Sequence, residues 1–372
     1  MTRRPLPRPT LLPGLARLWR DRHTLQLGLD PGRAVLLEVA DPGAARLLDL
    51  FDGAHSERAI LEHASRIRVD RDHARTLIDT LRDAGLVVSA HTLLPYDLPE
   101  SARQRLWSEA GALALRGARA AATPAQALRR RAAARIVVTG QGRLAPPVAI
   151  ALAQAGVGHI HPDLAGQVEP VDAAGGGLLA TDVRRPRADA VAEAIRRVAP
   201  GTETRPVRRG AASLVVQVGA DRPAELLAAA YAQRRQPHLL LGLRDGVPVI
   251  GPLVRAGQPH LLLGLRDGVP VIGPLVRASG TPCLNCLDLH RQDRDPGWPG
   301  LAAQLAAGQG PQPCATATLI AAVGYALGQV LGFLDGGRAE VEGGSAEVTG
   351  PGEIRRRFWP PHPACRCGRR RG

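Results

Sequence analysis

Lysine is absent from this chain of 372 residues, so every one of its 48 basic residues is arginine. That excludes Schiff-base chemistry, a phosphate-gripping P-loop lysine and a lysine general base. Asn285 is the only asparagine. Aromatic residues make up 3% of the chain, so Leu, Val, Ile and Ala must fill the core and few rings are left to stack on bases. Cysteines number five, an odd count, and the opening MTRRPLPRPTLLPGLARLWR has no apolar run of export length. A reducing, cytoplasmic setting is the expectation. One uncharged stretch, Ala315 to Leu334, approaches transmembrane length. Its Ala, Gly and Thr content and the internal Gln329 point instead to a helix packed inside a protein core, and no membrane partner is expected.

What is present is enough for two globular domains, with 45% hydrophobic and 22% charged residues. The net charge of +14 comes from arginines spread along the chain rather than clustered, which reads as solvated faces and not as a nucleic-acid footprint.

Residues 1–21 are rich in Pro and Arg and are expected to be flexible. The segments Leu25–Leu29 and Ala34–Val39, separated by an Asp30-Pro-Gly turn, predict a hairpin. Helices are expected over Pro42–Phe51, Glu57–Arg66 and Arg71–Ala84, the last with Ala74, Leu77, Ile78 and Leu81 on one face and Gly85 as its C-terminal stop. Leu86–Ser89 closes the unit as a strand, giving a small winged-helix-like α+β domain over 22–90. Residues 91–134 form a connector with a helix near Ala102–Ala121.

A βαβ pattern opens at Arg135. A short strand leads into Gly140-Gln-Gly142-Arg-Leu-Ala145, then a helix over Pro146–Ala155, then a second strand ending near Asp163, 23 residues after Gly140. Glycines there let the backbone approach phosphate, the helix N-terminus supplies a positive dipole end, and the acid suits a ribose contact. A helix over Arg187–Val198, a strand over Leu214–Val218 and a helix over Pro223–Arg234 continue the alternation and predict a Rossmann-like α/β sheet. The 21 residues Gln236–Ala256 then recur unchanged as Gln258–Ala278, each copy reading strand, Asp-Gly turn, strand. Two copies are too few for a solenoid and read as a tandem duplication, with one copy in the sheet and the other added outside it.

Two close cysteine pairs, Cys283/Cys286 and Cys365/Cys367, fit a closed tetrahedral zinc site of structural type. A redox pair, unrelated core thiols and His362 as a substitute ligand remain open. Cys314 precedes the uncharged helix, where a thiol can be activated or simply buried. His159, His161 and His290 form no triad or metal spacing.

The glycine turn, AGVGHI at Ala155–Ile160, DVRRPRA from Asp182, GTPCLNCLDL from Gly280 and the terminal WPPHPACRCG together resemble the ThiF/MoeB/HesA superfamily over about 135–368. Residues 22–90 resemble PqqD-type peptide-recognition domains, and the combination resembles leader-peptide-binding ThiF-like proteins of peptide natural-product biosynthesis. The resemblance implies a Rossmann-like sheet with structural zinc, a homodimer, and ATP- and magnesium-dependent adenylation of a peptide or small-protein carboxylate. By it, Gly140, Gly142 and Asp163 hold the nucleotide, and Arg187 and Asp221 are the catalytic residues.

The sequence departs from that pattern at the triphosphate. The loop 168–177 has neither Asn nor Arg, an arginine (Arg187) stands at the family's lysine position, Asp221 and Asp163 are each displaced by about one residue, and the turn ends in Ala145. By analogy with an oxyanion-hole donor, one lost phosphate donor costs about 10²–10³ in rate. The expected function is therefore capture of a precursor peptide and its presentation to a modifying enzyme partner, with the chain's own adenylation weakened or lost. An active adenylyltransferase is the alternative. A nucleotide-responsive DNA-binding regulator is a second, but Arg71, Arg75 and Arg82 are interleaved with Asp72, Asp79 and Asp83, which spoils a basic recognition face.

Overall fold

The computed structural model describes residues 5–32, 34–39, 42–116, 122–207, 212–219, 259–277, 281–306 and 312–365. Contacts divide the chain into two units, Met1–Arg129 and Arg130–Gly372.

In the first unit, helices α1 (Glu57–Arg66) and α2 (Arg71–Asp83) start where capping chemistry allows. Ser56 Oγ accepts from the Ala59 amide at 3.2 Å, and Asp70 accepts from the Asp72 and His73 amides at 2.9 and 3.1 Å. Gly85, at φ +70°, ends α2 in the left-handed region that L side chains avoid. Ile60, Ala64, Ile78 and Leu81 face inward, and each of the larger three contributes about 1.5–3 kcal/mol by burial. They pack on a three-stranded antiparallel sheet, order β2 (Arg17–Trp19), β3 (Thr24–Leu27), β4 (Val35–Glu38). A second, two-stranded sheet joins β1 (Pro9–Leu11) to β5 (Val87–Ser89).

Within the start expected to be flexible, Pro9–Leu11 and Arg17–Trp19 are strands. Thr10, Leu11 and Leu12 are buried, β1 takes its backbone ladder from β5, far along the chain, and β2 pairs with the next strand, β3. Local composition cannot report such pairing. Pro42–Leu50 is a 3-10 helix, and α3 is the single turn Ala90–Leu93. The connector holds two helices, α4 (Glu100–Leu115) and α5 (Pro124–Ala133). Leu12, Leu93, Leu106, Leu113 and Leu128 form its own small core.

The second unit is a seven-stranded mixed sheet. Its order is β12 (Glu353–Phe358), β11 (Gly344–Gly350), β10 (Val269–Val276), β9 (His260–Arg266), β8 (Leu214–Val218), β6 (Arg135–Gly140), β7 (His159–Leu164). Strands β9, β8, β6 and β7 run parallel, and β10 to β12 add antiparallel. Helices α6 (Ala145–Gln154), α7 (Arg187–Val198) and the 19-residue Thr316–Leu334 share one core with Ile136, Val138, Ile160, Val216 and Leu263. We number the last of these α10, after α8 (Leu284–Arg294) and α9 (Trp298–Ala306). By length and composition α10 could cross a membrane. Its Leu319, Ala322, Ala326 and Val330 instead sit in this core, and the buried Gln329 accepts the Val341 amide at 3.2 Å.

Strands β9 and β10 are the second copy of the duplicated segment, hydrogen-bonded between β8 and β11. The first copy, Gln236–Ala256, lies outside the described residues, as does the helix expected over 223–234.

Candidate functional site: a glycine turn, a sealed arginine and a cysteine cluster

The turn after β6 has the shape its glycines promised. Gly140 adopts φ +104°, and a Cβ there would lie 1.9 Å from the Val218 carbonyl oxygen, so β6 and β8 meet closely only because the side chain is missing. Gln141 N donates to that same carbonyl at 3.0 Å. Gly142 follows at φ +114°. Asp163 stands beside Thr139 in the β6–β7 register, and Thr139 Oγ1 donates to its carboxylate at 3.1 Å.

The helix behind the turn is another matter. Its first three residues are Ala145, Pro146 and Pro147, all buried. A helix N-terminus binds phosphate through the free N–H groups of its first turn. Proline has none, and the Ala145 amide is turned back to the Gly142 carbonyl at 3.2 Å. The dipole survives, but the first three residues of the helix offer an anion no free amide. The sequence displayed both prolines; the signal is that they fall at the second and third helical positions.

The arginine at the start of α7 is sealed. Arg187 is 6% exposed, and its Nη2 and Nε donate to Asp172 Oδ2 at 3.0 and 3.3 Å. Its Nη1 donates to the Ala165 carbonyl. Asp172, itself 2% exposed, sits on a short 3-10 helix, Pro170–Gly175, where it also accepts the Glu169 amide at 2.9 Å. The same loop is stitched to the chain before α7 by Val168 N to Arg185 O, Arg184 N to Val168 O and Arg187 N to Gly166 O, each 2.9 Å. At its other end Gly175 presses on Pro147 and Leu319. Asp172 was not singled out from the sequence, because a 15-residue separation and a loop carry no periodicity. Asp221 lies outside the described residues.

Cys314 just precedes α10 and is half-buried. Burial raises its thiol pKa, and the charge of Arg143 only partly opposes the rise.

The cysteines converge. Cys283 and Cys286, at the start of α8, and Cys365, near the end of the described chain, are all buried. Cys283 Sγ lies 3.8 Å from Cys286 Sγ and 3.6 Å from Cys365 Sγ. Tetrahedral zinc with Zn–S bonds of about 2.3 Å separates its sulfurs by about 3.8 Å, so three corners fit that metal. Asn285 Nδ2 donates to Cys365 Sγ at 3.3 Å, a sulfur-orienting contact of the kind that tunes metal ligands. The Cys286 thiol's hydrogen bond and burial push the Cys283 thiol up, so its thiolate needs a cation beside it. Cys367 lies outside the described residues. His362 is not a fourth ligand candidate here: its Nε2 is 2.8 Å from Asp293 Oδ2 and its Nδ1 accepts the Ala364 amide. His290, Asp293 and His362 form a separate cluster that sequence spacing did not reveal. With His362 Nδ1 accepting and Nε2 donating, neither nitrogen offers a lone pair to a metal.

No family model matches the chain, and no curated protein matches it in sequence. Solved structures do. E. coli MccB with ATP superposes with a TM-score of 0.62 at 15% identity, covering 97% of this chain and 99% of that one. The microcin C7 biosynthetic enzyme MccB in complex with N-formylated MccA gives 0.62 and 15% over 96% and 99%. PaaA gives 0.57 and 15% over 92% and 97%. The chain has the MccB fold. Its seven-stranded mixed sheet with flanking helices is consistent with the Rossmann-like α/β sheet expected from the sequence.

Proposed function

We propose that the chain is a cytoplasmic, ThiF-like protein that binds a precursor peptide and presents it to a partner enzyme for ATP-dependent modification, its own adenylation weakened or lost. Support for the peptide comes from the fold, shared over nearly the whole chain with an enzyme solved in complex with the peptide MccA. In this reading residues 22–90 are a PqqD-like unit. Strand β2 covers one side of β3, which leaves β4 as the open edge of the hairpin, with Leu36 51% exposed. An extended peptide would add there as a fourth strand, its backbone supplying affinity and its side chains specificity.

The observation that carries the loss of adenylation is the burial of Arg187 against Asp172. A triphosphate approaching Arg187 would have to displace a carboxylate already bound to it by two charge-assisted hydrogen bonds, and would leave that carboxylate buried and unpaired. Zinc, held by Cys283, Cys286, Cys365 and Cys367, ties the C-terminal segment to α8 in a structural role, since four thiolates leave no open position. The protein works as a homodimer in this reading.

The competing reading is an active adenylyltransferase using Asp163, Arg187 and Asp221, favoured by the Thr139–Asp163 contact beside the glycine turn. Two assays on the zinc-replete full chain separate them. Fluorescein-labelled peptides from short reading frames beside the gene are titrated by anisotropy, and ATP–pyrophosphate exchange is measured with the same peptides. Micromolar peptide binding with exchange at background supports the carrier. Exchange that requires a peptide carboxylate and falls on Asp163→Ala establishes the enzyme instead, and the absence of peptide binding removes the carrier.

A further inference from the structure

Arg143 lies inside the glycine turn, between Gly142 and the first residues of α6. It differs from the other sheltered arginines of its unit in one respect. Arg131 meets Asp335, Arg187 meets Asp172, Arg277 meets Glu342 and Arg291 meets Asp288. Arg143 meets no carboxylate among the described residues. Its Nη1 donates to the Cys314 carbonyl at 3.0 Å, and its Nε is buried with no hydrogen-bond partner. A guanidinium whose N–H has lost water and gained no acceptor carries the desolvation penalty of that group, and a carbonyl dipole compensates only part of it. An oxyanion is the ligand that would relieve it, because a guanidinium presents paired donors matched to phosphate geometry.

Its position gives the ligand class. In open α/β sheets a nucleotide's phosphates sit against the turn after the first parallel strand, outside the C-terminal ends of the strands. At that turn this chain has removed two backbone donors through Pro146 and Pro147, has neutralised Arg187 with Asp172, and has placed an unneutralised arginine at position 143. We infer that Arg143 is the residue through which this turn binds a phosphoryl oxyanion, in place of the helix amides and of Arg187. The inference deepens the nucleotide part of the reading above. It assigns binding without turnover: a side-chain donor on the turn holds the anion in the ground state, while the amide donors at the helix N-terminus are missing.

The test is calorimetric titration of the full, zinc-replete chain with Mg-ATP and, separately, with inorganic pyrophosphate. The variants are Arg143→Gln, which keeps an N–H for the Cys314 carbonyl but loses the charge, and Arg143→Lys. The expected result is binding of both probes by the wild type and a loss of roughly 10- to 100-fold in Arg143→Gln, as for a charge-assisted bond. Partial recovery in Arg143→Lys and an unchanged melting temperature in both variants should accompany it. Equal affinity of wild type and Arg143→Gln overturns the inference, as does a wild type that binds neither probe up to millimolar concentration. The second outcome leaves the peptide carrier standing, since that rests on anisotropy with peptide. Loss of peptide binding with Arg143-dependent ATP binding intact does the reverse.

Discussion

The second unit contains two places where short, well-spaced motifs announced chemistry, and they differ in what folding did with them. At the cysteines the side chains are the chemistry. Once Cys283, Cys286 and Cys365 are brought within 4.8 Å of one another, the capacity to hold a metal follows from sulfur alone. At the glycine turn the motif specifies only backbone shape. Gly140 and Gly142 adopt the positive φ values expected, yet the donors that should line the shape come from residues the motif does not name, and these are two prolines and a neutralised arginine. A motif of ligating side chains carries its function with it. A motif of glycines carries only access.

That contrast can be broken first at the metal. Cys283→Ser should take zinc from about one per chain to near zero by elemental analysis and lower the melting temperature by more than about 10 °C, because structural zinc binding is folding free energy. A variant that keeps both its zinc and its melting temperature would leave the three thiols as ordinary core residues.

Next in size is the sealed arginine. Asp172→Leu leaves a buried, unpaired guanidinium and should cost about 3–5 kcal/mol, read as a melting point lowered by roughly 6 °C or more. The double variant Asp172→Leu/Arg187→Met should recover most of it, since an apolar pair replaces an ionic one at little net cost. Additive losses in the double variant would mean that the loop is held by something other than this pair.

The glycine turn can be sharpened by restoring what it lacks. Pro146→Ala/Pro147→Ala returns two amides to the first turn of α6 and should tighten Mg-ATP binding about tenfold or more by calorimetry. No gain would show that the missing amides are not what limits the site.

The smallest effect is at Glu342. Its own burial acts to raise its pKa, but Arg277 at 2.5 Å and the Ala339 amide outweigh that and hold it below the usual carboxylate range. A carboxylate depressed in the folded state stabilises above its unfolded pKa, and that stabilisation is lost as pH falls through the folded value. Between pH 6 and pH 3 the wild type should therefore lose about 1–3 °C more in melting temperature than Glu342→Gln, as expected for a part-exposed pair.

Much of the local structure was legible because its causes are local. Ser56, Asp70 and Gly85 mark the ends of α1 and α2 through hydrogen bonds and a backbone angle reaching only three or four residues. The β6–turn–α6–β7 unit and α7 declared themselves in the same way. What stayed hidden is non-local. Strand β1 looks like part of an arginine- and proline-rich tail until Pro9–Leu11 pairs with Val87–Ser89. Likewise, Asp172 was visible only as an absence of Asn and Arg in a loop, since nothing in the loop's sequence says which guanidinium it will meet.

The sequence by itself determined the alternation of strands and helices in the second unit, the backbone shape of the turn at Gly140 and Gly142, and the residue types able to hold a metal. Propensity, φ preference and sulfur chemistry act within a few residues of their source. Tertiary structure alone decided that the second copy of the repeat is the one hydrogen-bonded between β8 and β11, that Asp172 neutralises Arg187, and that Arg143 meets no acid among the described residues. Each of these depends on which groups meet across a long separation in chain. In a dry interior one carboxylate 3 Å away decides whether an arginine is a ligand or a strut, and no local pattern encodes that distance.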